Sequence, residues 1–235
     1  LKSMIIISKS IKLLKKNLLV FCIFFNLIFI FQKHTLAHET YGDAMKWYNN
    51  YKSTIDSKQN YLIGLKLENE GKNQKALSFF RKAADSGLIE AQFKVALYFL
   101  KSDNLFEQKQ ARKIFKSLSD IKNPIASFKL AWMHENAVGG EKNIYKASYF
   151  YKLAASRDQY DAYLYLANLS LTDPNNINIL IAASYSSIAK KQNVTGSNSL
   201  LNRLLPLLET HELDEMAILI SSLESEIEKI KLINS

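Results

Sequence analysis

The stretch KALSFFRKAADSG, residues 75–87, recurs in the same chain as KASYFYKLAASRD, residues 146–158. Two weaker copies occupy residues 110–120 and 181–190. The leading alanines of the four copies are separated by 35, 36 and 35 residues; they are Ala76, Ala111, Ala147 and Ala182. Self-similarity at such a period is typical of repeat proteins, in which each unit is one supersecondary element that cannot bury its apolar face alone. The sequence therefore predicts a repeat array.

A second pattern precedes each of these copies. It reads AQFKVALYF from Ala91, ASFKLAWMH from Ala126 and AYLYLANLS from Ala162, with a rough forerunner, QNYLIGLKL, from Gln59. Apolar residues fall at positions i, i+4 and i+5, with a larger residue near i+8, which is the spacing of a helix and not of a strand. Each unit is therefore predicted to be a helix A, a loop and a helix B, whose alanines lie where two backbones approach closely. Four copies in phase argue against the alternative, an ordinary helical bundle with coincidental alanines.

Together the two patterns resemble the Sel-one-like repeat, a relative of the tetratricopeptide repeat. Val95-Ala96 matches the Leu-Gly step of that family, Phe150-Tyr151 matches its Trp-Tyr step, and the loop at residues 137–147 is similar to its glycine-rich connection. The resemblance covers residues 57–192, although the fourth copy lacks the double aromatic and only Gly64 keeps the glycine of the first helix. It implies an all-α fold, a right-handed superhelical α-solenoid of about four repeats.

The two ends extend the array. Residues 38–56 contain DAMKWY, which resembles the helix B of a degenerate leading unit. Residues 193–235 predict a C-terminal helical cap, whose first helix is ended or kinked by Pro206 and whose second helix has Thr210 as its N-cap. The charged run at residues 224–231 supplies the polar outer face that the last element of a solenoid needs.

The N-terminal 37 residues predict export. Four lysines between Lys9 and Lys16 precede an apolar run of 14 residues, Leu18 to Phe31, and Ala37 ends a small-residue cleavage site. The run is shorter than the ~20 residues of a membrane-spanning helix. Residues 1–37 are therefore predicted to be a signal peptide of a periplasmic or secreted protein, and an uncleaved anchor at residues 18–31 in the inner membrane is the alternative.

Charge does not favour nucleic acid as a partner. The chain has 31 basic and 22 acidic residues, but six of the lysines lie in the first 37 residues. Their removal leaves 25 basic residues and a net charge of +3, so the basic balance of the whole chain belongs mainly to the leader. We expect no nucleic-acid partner, and a membrane partner only if the N-terminal segment is uncleaved.

Residues that could carry chemistry are scattered. Cys22, the single cysteine, lies in the apolar run, and the sequence at His211, HELDE, lacks the second histidine of a zinc-binding helix. His134 takes the large-residue position of a helix A, where we expect it to pack in the core. Gly139 and Gly140 are an isolated pair in a helix connection and not a phosphate loop. The sequence predicts no catalytic residue, no metal site, no cofactor and no enzyme activity.

The tetratricopeptide analogy implies that helix A lines the concave face of the array. Groove positions lie just before the first residue of the helix A pattern and two, six, nine and ten residues after it. Phe93, Phe128 and Leu164 fall on such positions, but we expect them to pack between helices. The candidate partner-binding residues are Tyr61, Glu68, Asn69, Glu90, Leu97, Lys101, Trp132, Glu135, Asn136, Asp161 and Asn168.

These residues mix aromatic rings, amides and charges, as a peptide-binding groove does, and Trp132 is the candidate anchor. The sequence favours a non-enzymatic protein-protein interaction scaffold of the bacterial envelope that binds a peptide or protein partner. Two alternatives stay open. One is an accessory subunit of a cell-wall or exopolysaccharide enzyme, in which the aromatics and amides contact sugar. The other is a hydrolase, which would need a titrating residue essential for turnover.

Overall fold

The computed structural model describes residues 37–172 and 178–234, and their contacts divide the chain at Ile55 and Asp56 into two units. The described residues form α-helices and one short 3-10 helix. The helices are α1 (Ala37–Asn69), α2 (Asn73–Asp85), α3 (Ile89–Leu100), α4 (Leu105–Asp120), α5 (Pro124–Glu135), α6 (Ile144–Ala155), α7 (Asp161–Thr172), α8 (Ile179–Lys191), α9 (Ser197–Leu204), the 3-10 helix (Leu205–Leu207) and α10 (Thr210–Ile233).

The helices alternate as the repeat predicts. The end of α1 and then α3, α5 and α7 are the helices A of units 1 to 4, and α2, α4, α6 and α8 are their helices B. From α2 to α9, each helix contacts the next along the chain. The prediction of an all-α array of about four helix pairs is confirmed.

Asparagine begins four of these helices. The side chain of Asn104 accepts a hydrogen bond from the backbone N–H of Phe106 at 2.8 Å, and Asn178 accepts one from Ile181 at 2.7 Å. Asn123 and Asn143 cap α5 and α6 in the same way. Each cap satisfies a backbone donor that has no partner within its own helix, and so fixes where the helix starts.

An aromatic pair joins helix A to helix B within the first three units. The ring centroids lie 5.6 Å apart for Tyr61 and Phe80, and 5.7 Å apart for Phe93 and Phe115. The third pair, Phe128 and Tyr151, is edge-to-face at 5.4 Å. In every unit the helix A residue stands two positions after the start of its pattern, and the helix B residue stands four after its leading alanine. Packing of Phe93 and Phe128 between helices is therefore confirmed.

Small residues let the paired helices come close enough for these rings to meet. All four leading alanines of the helices B are completely buried, as are Ala96, Ala131 and Ala167 on the helices A. Unit 1 has Gly64 in place of these helix A alanines, and a Cβ there would lie 2.6 Å from the ring of Phe80. The close approach that the alanines predicted is confirmed, and at Gly64 even a single added carbon would meet the ring of Phe80.

The two ends differ in part from the prediction. Residues 38–56 do not form a separate leading helix, because α1 runs from Ala37 to Asn69 without a break. Residues 1–36, which include nearly all of the predicted signal peptide, lie outside the described residues. Pro206 does follow the end of α9, but Glu209 and not Thr210 is the N-cap of α10. The backbone N–H of Glu209 donates to the Glu212 carboxylate at 2.9 Å, as in a capping box.

The C-terminal helices also reach further than a terminal cap. The short helix α9 packs on α8, in the place of a fifth helix A. The long helix α10 then contacts both α8 and α6, the helices B of the last two units. It lies along one face of the array, where Leu223 and Ile227 become buried. Its apolar positions predicted a buried face but not the helices that this face covers.

Two glycines with left-handed backbones give a matched test of the packing. Gly87 has φ +88 with open space around an added Cβ, whereas Gly139 has φ +70 and its Cβ would lie 2.5 Å from the carbonyl oxygen of Gln108. We expect Gly87→Ala to lower the free energy of unfolding by about 1 kcal/mol, because of backbone strain alone. Gly139→Ala should cost roughly 1–3 kcal/mol more, because a backbone must also move. Urea denaturation measures both, and equal losses would contradict the close approach.

Candidate partner-binding face

The eleven candidate residues lie on, or just after, the helices A of the four units, and they fall into three groups. Two are half-buried carboxylates with partners inside the protein, Glu68 and Glu135. Three are half-buried apolar or aromatic side chains that pack on the core, Tyr61, Leu97 and Trp132. The other six are exposed, and they are Asn69, Glu90, Lys101, Asn136, Asp161 and Asn168.

Glu68 joins unit 1 to unit 2. Its carboxylate accepts hydrogen bonds from the Lys94 ammonium at 2.6 Å and from the Tyr98 hydroxyl at 3.2 Å. Burial, and then the Glu68 carboxylate, raises the pKa of Tyr98 above its usual value. The carboxylate is held by two side chains of α3, so it contributes to stacking of the units as well as to the surface.

Glu135 has the same position in the pattern of unit 3, nine residues after Ala126. It accepts a hydrogen bond of 2.6 Å from the hydroxyl of Tyr151 on α6. Tyr151 is completely buried, and burial followed by this bond to Glu135 raises its pKa far above the usual value. The tyrosine therefore stays neutral, and its hydroxyl group donates the hydrogen bond to Glu135.

The half-buried apolar group has one side in the core. Tyr61 packs on Phe80, while Leu97 and Trp132 pack on the large core cluster that runs through units 2 to 4. Leu164 packs on the same cluster, as expected for the residue that aligns with Phe93 and Phe128. Their buried sides hold these residues in place, so their free sides form a rigid apolar part of the surface.

The exposed group contains amides and charges whose contacts are local. The Asn136 amide donates to the carbonyl of Trp132 at 2.9 Å, and Asp161 accepts from the Gln159 amide at 3.2 Å. Glu90 lies in the first turn of α3, where the helix dipole favours a carboxylate. These groups keep most of their hydrogen-bonding capacity for solvent or a ligand. We call this set of exposed and half-buried residues the helix-A face.

His134 packs in the core as expected. It is 9% exposed and lies parallel to the ring of Phe150, with centroids 5.7 Å apart. Its Nδ1 atom has no hydrogen-bond partner within the protein. Burial first, and then the positive charges of Arg112 and Lys146, lowers the pKa of His134 to about 4. Elsewhere in the described part of the chain, no three His, Cys, Asp or Glu side chains are grouped as metal ligands.

Two arginines that the repeat pattern does not include tie the units together. Arg112 donates to the backbone carbonyl of Met133 at 2.8 Å, and Arg157 donates to the Ser119 carbonyl at 2.8 Å and the Ser127 hydroxyl at 2.9 Å. Burial lowers the pKa of both arginines relative to a solvated guanidinium. Their roles could not be deduced from sequence, because their acceptors are mostly backbone carbonyls of distant residues.

The described residues include no helix with the length and apolar character needed to cross a membrane. The apolar run at residues 18–31, on which the anchor alternative rests, lies outside them.

The lowered pKa of His134 predicts a loss of stability in acid. Between about pH 6.5 and pH 4 the unfolded chain binds a proton on this imidazole and the folded chain does not, so the free energy of unfolding falls as the pH is lowered. His134→Phe introduces phenylalanine, which Phe99 provides at the equivalent position of unit 2. The free energy of unfolding of this variant should decrease less than that of the parent as the pH is lowered. Urea denaturation at pH 4.5, 5.5 and 7 compares the variant with the parent, from which it differs at this one titratable group. If the free energy of unfolding changed with pH equally in the variant and the parent, the buried neutral imidazole would be contradicted.

Comparison with known proteins identifies the fold. No protein-family model matches the chain, and no curated protein matches it in sequence. Among solved structures, a protective antigen of uropathogenic Escherichia coli with an SLR fold aligns at a TM-score of 0.62 and 18% identity, over 80% of this chain and 42% of that one. A Sel1 repeat protein from Oxalobacter formigenes aligns at a TM-score of 0.52 and 22% identity, over 62% of this chain and 60% of that one.

This chain therefore spans less than half the length of the first neighbour and three-fifths of the second. Both neighbours carry the repeat that the residues of this sequence resemble. The chain has the fold of the Sel-one-like repeat proteins, an α-solenoid of helix pairs.

Proposed function

We propose that this protein is a non-enzymatic scaffold that binds a peptide or protein partner along its helix-A face. The observation that carries the proposal is that the two sides of each helix A have different environments. One side of the helix is fixed in the core by small and aromatic residues, and the other carries exposed amides and charges. A surface whose side chains are held by a packed core loses little conformational entropy when a partner binds.

The chemistry of the face suits an extended or helical peptide. Amides such as Asn136 and Asn168 both donate and accept hydrogen bonds, which matches the backbone and polar side chains of a peptide. Glu90 and Lys101, at the two ends of α3, add charges of opposite sign that would orient the partner.

Trp132 is the proposed anchor of the partner. Its ring is half-buried and rests against the core, so it is held in one orientation while part of its surface stays free. Large aromatic side chains held in this way commonly provide much of the binding energy of an interface. Glu135, which the hydrogen bond to Tyr151 fixes, would lie beside it as a directed acceptor.

A bulky substitution on this face should block the partner without changing the core. Asn168 is exposed on α7 and Lys190 is exposed on α8, a helix B, so Asn168→Trp and Lys190→Trp add the same side chain to the two kinds of helix. We expect Asn168→Trp to reduce the amount of captured partner about ten-fold or more, and Lys190→Trp to leave that amount unchanged. The measurement is quantitative mass spectrometry of proteins captured from envelope extract by each tagged variant, after circular dichroism has shown equal folding.

If both variants captured the same amount of partner, binding along the helix-A face would be contradicted. Saturable binding of purified glycan that Asn168→Trp abolishes, with no captured protein, would replace the scaffold by the sugar-contacting accessory subunit. Either result leaves the fold as described.

We also propose that the scaffold acts in the bacterial envelope. Support comes from the lysines, the apolar run and the cleavage site of the first 37 residues. N-terminal sequencing of a C-terminally tagged product after cell fractionation should find a periplasmic chain that begins at His38. A membrane-bound product that retains residues 18–31 would instead establish a tethered scaffold.

A further inference from the structure

The helix α10 shows how one groove of this array is filled. It packs on α6 and α8, and Leu223 and Ile227 are buried beneath it, 9% and 5% exposed. Beside these two residues, Glu226 accepts a hydrogen bond from Lys152 at 2.6 Å and Glu224 accepts one from Lys191 at 2.8 Å. An acidic amphipathic helix therefore occupies this groove, which we call the rear groove.

The repeat defines the walls and floor of the rear groove. Counted from the leading alanines, they are Lys152, Ala155 and Ser156 of α6, Tyr163, Leu166 and Ser170 of α7, and Tyr185 and Ile188 of α8. The side chain of Lys152 is 20% exposed, and Tyr185 and Ile188 are 3% and 1% exposed. Burial first, and then the carboxylate of Glu224, raises the pKa of Tyr163 to about 12. These positions are therefore covered by α10.

The same eight positions, moved to units 1 and 2, line an open groove. A cavity of about 430 Å³ lies between α2 and α4 above α3, and we call it the front groove. Its lining residues are Arg81, Ala84, Asp85, Gln92, Val95, Phe99, Ile114 and Ser117. Each of them has the repeat position of one residue of the rear groove. Neither α9 nor α10 lines this cavity, and Arg81 is 49% exposed where its counterpart Lys152 is 20% exposed.

The groove between these two is filled by the protein's own side chains. Arg157 reaches from the end of unit 3 to the Ser119 carbonyl and the Ser127 hydroxyl, which occupy the corresponding wall and floor positions. His134 stacks on Phe150 beside them. Of the three equivalent grooves in the described part of the chain, the front groove is thus the one without a filling element.

The chemistry of the front groove specifies its occupant. Val95, Phe99 and Ile114 provide an apolar floor and wall, as Leu166 and Tyr185 do beneath α10. Arg81 stands where Lys152 binds Glu226, and its present partners are the Phe99 ring at 5.0 Å and Glu107 at the long distance of 3.4 Å. An exposed ion pair of this length contributes little, so the guanidinium can exchange it for a carboxylate of a ligand.

We propose that the front groove binds an acidic amphipathic helix of a partner protein, in the manner in which α10 binds the rear groove. The partner helix presents two aliphatic residues four positions apart to Val95 and Ile114, with a carboxylate beside them that meets Arg81. This surface lies along the helices B, so the proposal does not rest on the helix-A face.

Two positions differ between the grooves in charge or in size. Asp85 stands in place of Ser156, and Ser117 in place of Ile188. A carboxylate of the ligand near Asp85 would be repelled, so the preferred partner carries a basic or neutral residue at that point. In the rear groove this end of α10 carries Lys231, which lies 3.9 Å from Asp158, so α10 itself presents a basic residue close to the position that Asp85 takes in the front groove.

The test uses a labelled peptide of residues 210–234 as the probe and the full chain, in non-ionic detergent, as the receptor. Its own α10 fills the rear groove, so the front groove is the free site. We expect saturable binding by fluorescence anisotropy that Arg81→Glu weakens about ten-fold or more. Lys116→Glu is the matched control, because Lys116 has the same repeat position on α4 but does not line the front groove. It should leave the affinity unchanged.

Three results would overturn the proposal. The first is no saturable binding of the peptide by the parent chain. The second is binding that Arg81→Glu leaves intact but Lys152→Glu changes, since the peptide would then be exchanging with α10 in the rear groove. The third is self-association of the full chain that Arg81→Glu abolishes, which would make a second copy the occupant. A peptide with Lys at positions 224 and 226 should not bind, because its charge no longer complements Arg81.

Discussion

The packing of a helix A ring on a helix B ring of the same unit is the interaction on which the rest of the structure depends. It occurs in three units with centroids 5.4–5.7 Å apart, and it requires the completely buried alanines that bring the two backbones together. In unit 4 the fully buried Ser186 takes the place of the helix B ring, and α9 and α10 pack nearby. The aromatic pairs account for the fixed side of the helices A in units 1 to 3 and for the equivalent positions along their helices B.

Sequence alone could predict the helix pairs in which this packing recurs. The alanine spacing gave the helix pairs and their order, and the motif positions correctly placed Phe93 and Phe128 between helices. It could not predict that Glu68 and Glu135 bond to side chains of neighbouring helices, because those contacts depend on how the helices stack and not on the period. Nor could the apolar stripe of α10 indicate which groove it fills, since amphipathicity specifies a buried face without naming the surface that buries it.

The two faces of the array therefore have different relations to the core. The helix-A face carries its exposed amides and charges on helices whose inner sides are fixed, so substitution of those exposed residues should spare stability. The face along the helices B has grooves of one common design, two of which are filled by α10 and by Arg157. Because the grooves are built from equivalent repeat positions, the contacts that fill the rear groove indicate which kind of ligand the open front groove could bind.

Direct contact between the helix-A face and a partner is the central claim, and site-specific photo-crosslinking in living cells tests it most directly. A photoreactive residue would be placed at Glu90 or Asn168, which are exposed on two helices A, and at Lys113, which is exposed on a helix B. We expect the first two positions to yield the same cross-linked protein and Lys113 not to yield it. Cross-links of one protein from Lys113 alone, with none from Glu90 or Asn168, would contradict contact through the helix-A face.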